Sequence, residues 1–430
     1  MKTNLLSGAG DVDMIRKGKE NSFFAWMADI SLLICLFLEI VFAHTIGSQA
    51  SLVLFFCFTA LLAFQKRRVY FSWWMWISAL LIVWSVIVSF GWAIDRSASL
   101  GLVKTLIVTT AFFFFIFQYL LLRADLRRFL VIYVISALLM VCWLLFREYS
   151  LDWNTARLGY TDGVHPNSVG MISAFAFGMC IYLAEKKWKL LWLIPASVLL
   201  IAVALTMSVK SAALAGALLV SMLLIRYPRK WGWKLVAIGV GGFALFYAVI
   251  LTENPLSTGV LSRVREVALF FLKGEGVGGS SVERMSLMQA AWARFQERPI
   301  TGWGLGCFRL LEGSLGMYAH NNYLELLVSG GIPMALIYYA GQVGALIYAA
   351  HEIKRSRATD KTGKDAMLRQ LTVVFYVMLV MRFVLDFAVV SYYERQDAIF
   401  IILLVAAAKQ LNATRKENVD STTGGEAFEN

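Results

Sequence analysis

The chain has 430 residues, of which 59% are hydrophobic and 16% charged, and its mean hydropathy is +0.67. That balance exceeds what soluble domains carry and excludes a soluble enzyme. Forty Lys and Arg against 28 Asp and Glu give a net charge of +12; in a membrane protein this excess reports which side of the bilayer holds each loop, and no nucleic-acid partner is expected. Cys35, Cys57, Cys142, Cys180 and Cys307 show no metal-ligand spacing, and four of them fall inside apolar runs, so neither a disulfide framework nor a zinc site is expected.

In chain order, residues 1–23 are polar and carry Lys2, Arg16, Lys17 and Lys19. The apolar run that follows is too long for a signal-peptide core and has no small-residue cleavage site before Gly47, so the first helix is expected to remain as an anchor. Apolar runs then cover 27–44, 48–64, 70–93, 98–122, 129–146, 167–184, 190–207, 211–226, 235–251, 331–350, 371–390 and 397–408. At roughly 20 residues per bilayer crossing these predict about twelve transmembrane helices. The chain thus divides into a tail (1–23), nine crossings (24–251), a large loop (252–330), three more crossings (331–411) and a polar, disordered tail (412–430).

Numbering the loops alternately sorts the cations. One side takes both tails, Lys66-Arg67-Arg68, Arg123 with Arg127-Arg128, Lys186 to Lys189, Arg226 to Lys234 and Lys354 to Arg369, or 26 of the 40 basic residues. The opposite side holds 12, seven of them in the long loop. The positive-inside rule places both termini in the cytoplasm and the long loop outside. Two charges at depth need partners. Arg382 and Asp386, four apart, can pair on one helix face, whereas Lys104, two turns inside the fourth crossing, can reach a lipid phosphate.

A loop as long as 252–330 is unusual without a role. Ser280 and Glu283 have capping-box spacing and open a helix that runs to Arg298 and stops at Pro299. Met285, Met288, Trp292 and Phe295 mark its packing face. Gly302, Gly304 and Gly306 form a turn that lets backbone approach something closely; no strand precedes it, so it is not read as a dinucleotide fingerprint. Tyr318-Ala319-His320-Asn321-Asn322-Tyr323 then starts a short helix that Gly330-Gly331 ends before the tenth crossing. Polar residues at a helix start beside apolar membrane form a natural interfacial site.

These segments carry a resemblance. Ser281-Val282-Glu283-Arg284 leading to Trp292, then Arg298-Pro299-Ile300-Thr301-Gly302-Trp303-Gly304-Leu305-Gly306, then Ala319-His320-Asn321-Asn322-Tyr323-Leu324, resemble the O-antigen ligase and polymerase family of bacterial inner membranes over about residues 205–335. The resemblance implies an all-α, GT-C-like membrane glycosyltransferase with one large periplasmic helical loop. Its donor would be a glycan on undecaprenyl diphosphate, its acceptor a hydroxyl of the lipid A core, and its surroundings membrane lipids; no cofactor or metal is implied.

Such a transfer needs cations for the diphosphate and a base for the acceptor hydroxyl. Arg284, in the first turn of the loop helix, can hold a phosphate bidentately, and His320 is the side chain most readily poised to take a proton. Both are assigned as catalytic. Lys210 stands where the family usually has Arg; it supplies a point charge without the guanidinium fork. Arg157 and Asn167 match a weaker family pattern on the acceptor side, and Asn321 and Lys104 complete the expected substrate-binding set.

Three rivals remain. A metal-dependent glycosyltransferase would place acids in an early external loop, but 45–50 has none and the next loop offers only Asp95. A polyprenyl-glycan transporter fits twelve crossings but seldom puts its polar mass in one external loop. A polymerase uses the same donor with a second lipid-linked repeat as acceptor; the compact loop favours the ligase.

Overall fold

The computed structural model describes residues 22–42, 45–150, 157–160, 164–184, 189–226, 279–359, 365–395 and 399–425. Among these, every regular element is helical. The helices are α1 Phe23–Val41, α2 Ile46–Gln65, α3 Trp73–Gly91, α4 Arg96–Arg123, α5 Leu126–Arg147, α6 Pro166–Leu183, α7 Lys189–Leu205, α8 Val209–Arg226, α9 Gly279–Glu297, α10 Asn322–Thr359, α11 Ala366–Leu385 and α12 Ile399–Gly425, with one 3-10 turn at Phe308–Leu310. Eight of them, α1 to α6, α10 and α11, are long and apolar enough to cross a membrane, while α7 and α8 are shorter apolar helices. The protein is an all-α polytopic membrane protein. Eleven of the twelve expected crossings fall on described helices; the ninth, at 235–251, lies outside the described residues, as do the tail before 22 and the loop from 252 to 278.

Past 411, α12 runs on to Gly425. Leu411 is fully buried and Arg415 reaches Glu352 at 3.6 Å.

The chain forms two compact units. Unit one comprises residues 1–29, 54–126 and 286–430; unit two comprises 30–53 and 127–285. In unit one, α3, α4, α10, α11 and α12 pack together. One part of its core joins Val88, Val103, Leu106, Leu305, Leu326 and Met334. Asp95 caps α4 by accepting the Ala98 N–H at 2.9 Å. Ser89 and Ser99 hydroxyls meet at 2.7 Å, and Ser99 also accepts the Leu305 N–H, which fastens the glycine turn to the top of α3 and α4.

That turn approaches the chain itself. Gly302, Gly304 and Gly306 all have positive φ (64°, 107° and 66°), a region that disfavours side chains. Trp303 and Gly304 donate to the Val328 and Ser329 carbonyls at 2.9 Å. Gly331, with φ 71° and ψ −173°, breaks α10 into a short leading helix and a long one, as its glycine pair implied. Ile332 N–H then turns to the Pro299 carbonyl at 2.8 Å, and Trp84 Nε1 donates to the Gly330 carbonyl. The carbonyls released by the break therefore find partners, which apolar surroundings demand.

In unit two, α6 packs against α7 and α8. A Cβ at Gly170 would land on the Ser211 hydroxyl, and one at Gly178 would press on Leu218, so these small residues set the close approach of α6 and α8.

Gly331→Ala should lower the thermal midpoint of the purified protein, since the new Cβ meets the Ile300 carbonyl at a left-handed backbone position; the expected loss is about 1–3 kcal/mol. Gly216→Ala, with nothing within 4 Å of the added carbon, serves as the control and should hold or raise the midpoint. Equal midpoints for the two variants would contradict this account.

Candidate active site

Unit two gathers most of the expected cations. The α6 amino terminus is built from His165, the N-cap, with Pro166 at the first helical position. His165 Nδ1 accepts the Asn167 N–H at 3.2 Å, so that nitrogen carries no proton and the ring stands as the Nε2–H tautomer. Arg157 crosses to the turn before α8: its Nε donates to the Thr206 carbonyl at 2.8 Å and its Nη2 to Asn167 Oδ1 at 3.2 Å. The turn around Arg157 is held in place by two further bonds, Leu158 N–H to the Leu205 carbonyl and Gly159 N–H to the buried carboxylate of Glu148.

Lys210 lies in the first turn of α8. Met207 ahead of it takes φ 48°, and Ser208 caps the helix by accepting the Ser211 N–H at 3.4 Å. The Lys210 side chain is half-buried, as is that of Arg284 on α9. The capping box expected at the start of α9 involves Ser280, whose side chain lies outside the described residues.

These groups share one electrostatic field. Burial, and then the positive charges of Arg157, Lys210 and Arg284 in that order, push the His165 imidazole below its ordinary value. Lys210, Arg157, Asn167 and Arg284 are thus brought together, as a set around His165. That histidine stands in the His165-Pro166-Asn167-Ser168 pattern, but the sequence reading gave it no role. Its signal was a histidine immediately before Pro at a helix start, where the ring doubles as cap and as polar group at the membrane surface.

Unit one holds His320 and Asn321. Ala319 N–H donates to Glu325 Oε2 at 2.8 Å, and the carboxylate is 2% exposed. On the other side, Asn321 caps the helix: its Oδ1 accepts the Leu324 N–H at 3.1 Å and its carbonyl the Glu325 N–H at 2.9 Å. Asn321 Nδ2 reaches the Phe387 carbonyl at 3.3 Å and Met288 Sδ at 3.9 Å. Between these fastenings His320 adopts φ 54°, costing roughly 1–2 kcal/mol for a residue with a Cβ. Its ring lies 4.2 Å from that of Tyr318 and is half-buried. Such a backbone holds the side chain in a direction that relaxed backbone would not give it.

Arg298 sits over the Trp303 ring at 3.9 Å, and Trp303 Nε1 donates to the Arg294 carbonyl at 2.8 Å. These residues of the sequence motif hold the loop together. Lys104 is exposed on α4, and no described contact joins it to His320 or Asn321. Arg382 and Asp386 pair at 3.2 Å with exposures of 3% and 0%.

The apolar helices define a multi-pass membrane protein. The comparison with known families specifies it further. The O-antigen ligase family model matches residues 194–339, so that segment is similar to the family. The resemblance read from the sequence therefore holds over Lys210, Arg284, His320 and Asn321, whereas Lys104, Arg157 and Asn167 lie outside the matched segment. No curated protein matches the chain.

The electrostatics give a signed prediction. A folded-state value below the ordinary histidine value means that the neutral ring and its bond from Asn167 are present above about pH 6.5 and are lost as pH falls through the lowered value. Histidine NMR on isotope-labelled protein should show His165 titrating below 6.5, and Arg284→Gln should move that titration upward. A titration unaffected by Arg284→Gln would show that the two groups do not share a field.

Proposed function

We propose that the protein transfers a glycan from undecaprenyl diphosphate to a sugar hydroxyl of the lipid A core, without a metal, at the periplasmic side of the bacterial inner membrane. Both termini are cytoplasmic in this reading. The observation that supports it best is the combined effect of Arg157, Lys210 and Arg284 on His165, in a chain whose segment 194–339 matches the O-antigen ligase family model.

In the reaction, the acceptor oxygen forms a bond to the anomeric carbon as the bond from that carbon to the phosphate oxygen breaks. The electron pair leaves with the diphosphate, and the hydroxyl proton passes to a base, the role that the sequence motif assigns to His320. Attack opposite the leaving group inverts the anomeric centre. Arg284 and Lys210 take the growing charge on the leaving oxygen, where cations act more strongly than in water. Arg157 binds the Thr206 carbonyl and Asn167 with one edge of its guanidinium, so it joins the cluster while fixing the turn that leads to Lys210. Asn321, through its bond to the Phe387 carbonyl, fixes the residue next to His320. Lys104 is assigned a lipid phosphate, since an exposed ammonium on a membrane helix can extend to the headgroups.

The test uses purified protein, undecaprenyl diphosphate glycan and chelator, with lipid A core or a second donor molecule as acceptor. Product on lipid A core is expected; elongated donor alone would make it a polymerase, and movement of donor across vesicles without transfer would make it a transporter. His320→Ala should abolish transfer while the protein still reaches the membrane. Arg284→Ala should lose roughly 30-fold, about 2 kcal/mol for one charge-assisted contact. Lys210→Arg should keep activity and Lys210→Ala lose most of it; equal activity of all three residues at 210 would reduce that position to an anchor.

A further inference from the structure

Two residues after His320 stands a side chain with every hydrogen-bonding valence used. Asn322 is fully buried. Its Nδ2 donates to the Tyr339 hydroxyl at 3.1 Å and to Asp386 Oδ2 at 3.3 Å. Its Oδ1 accepts the N–H groups of Ser391 and Tyr392 at 2.9 and 3.0 Å. An asparagine offers two donors and two lone pairs, so nothing is left over. Its backbone N–H goes to the Asp386 carbonyl at 2.8 Å. Around it, Asp386 also accepts from Tyr339 at 2.9 Å and from Ser391 Oγ at 2.8 Å, and pairs with Arg382.

We propose that Asn322 is a positioning residue: its buried amide fixes the turn at 386–392 to the start of α10 and thereby sets the backbone that presents His320. The role assigned to His320 rests on the transfer reading above. The physical ground is the left-handed conformation of His320, which relaxes unless both flanks are held. Glu325 holds the preceding residue through Ala319 N–H, and Asn322 holds the following backbone to three residues of another segment. A cap on α10 alone would need none of these long-range bonds. Asn321 already supplies it.

Three variants separate positioning from general stability. Asn322→Ala removes all four side-chain bonds. Asn322→Asp keeps the acceptor but sets a carboxylate against Asp386. The exchange Asn322→Asp with Asp386→Asn restores one acid and one amide across the same contact. Each is measured in nanodiscs with isotope-labelled histidine, the His320 resonance being assigned with His320→Gln, and by kcat and KM for undecaprenyl diphosphate glycan with lipid A core as acceptor.

Asn322→Ala is expected to lower kcat on the order of 100-fold, the effect of an ångström-scale misplacement, with KM for the donor within about threefold. Its His320 resonance should lose the ring-current shift from Tyr318. Asn322→Asp should behave alike, and the exchange should recover both readouts. Wild-type kcat and resonance in Asn322→Ala would overturn the proposal, and so would failure of the exchange to restore the resonance. Should Asn322→Ala not fold, Tyr339→Phe removes one bond to the same amide and should shift the resonance in the same direction; an unchanged resonance there is equally decisive against it. If the wild-type protein transfers no glycan, the transfer reading fails, and the resonance alone still decides the role of Asn322.

Discussion

Three positive charges bearing on one imidazole are the constraint on which the unit-two site depends. Arg157, Lys210 and Arg284 all disfavour the charged form of His165, and Arg284, after burial, also disfavours that of Lys210. Such like charges are held in place by the surrounding fold. Pro166 starts α6, Gly170 lets α8 approach, and the Arg157 guanidinium ties the Thr206 carbonyl to Asn167. In the proposed reading a dianion would relieve this repulsion. The same field that lowers the imidazole's proton affinity is the field that a diphosphate would meet.

Unit one follows a different rule, that irregular backbone next to membrane must find partners for its polar groups. The glycine turn meets this by docking on the broken start of α10, with Trp303 and Gly304 donating to Val328 and Ser329 and the Gly330 carbonyl taken by Trp84. The His320 segment meets it through side chains: Glu325, Asn321 and Asn322 each take backbone partners. The outcome is a left-handed residue, His320, with hydrogen bonds holding the backbone on either side of it. Tyr392, packed within this region, has its hydroxyl pushed well above the ordinary range, first by burial and then by Glu325, so it acts there as a neutral group.

The crossings were legible because apolar length and alternating loop charge are one-dimensional signals, and eleven of twelve runs fall on described helices. Glycine spacing likewise announced the turn at 302–306 and the break at 331, since positive φ leaves its mark on residue type. The Arg382–Asp386 pair was legible from its spacing of four. His165 was not recognised as the centre of the cationic set, because its neighbours come from residues 157, 210 and 284, and no local pattern reports a fold-generated field. Nor did the sequence show that His320 is left-handed or that Asn322 spends its whole side chain on residues 339 and 386–392; a pair of asparagines reads as a helix cap, and only one of them is.

The central claim is that the cluster around His165 receives a lipid-borne diphosphate, and the most direct measurement follows that imidazole during binding. Undecaprenyl diphosphate is titrated into nanodisc-embedded protein while the His165 resonance is recorded across pH. The account predicts that the bound dianion offsets the charges of Arg157, Lys210 and Arg284, so the ring's titration moves upward, and that Arg284→Gln weakens this response. Saturating binding with no movement of the His165 titration would contradict it.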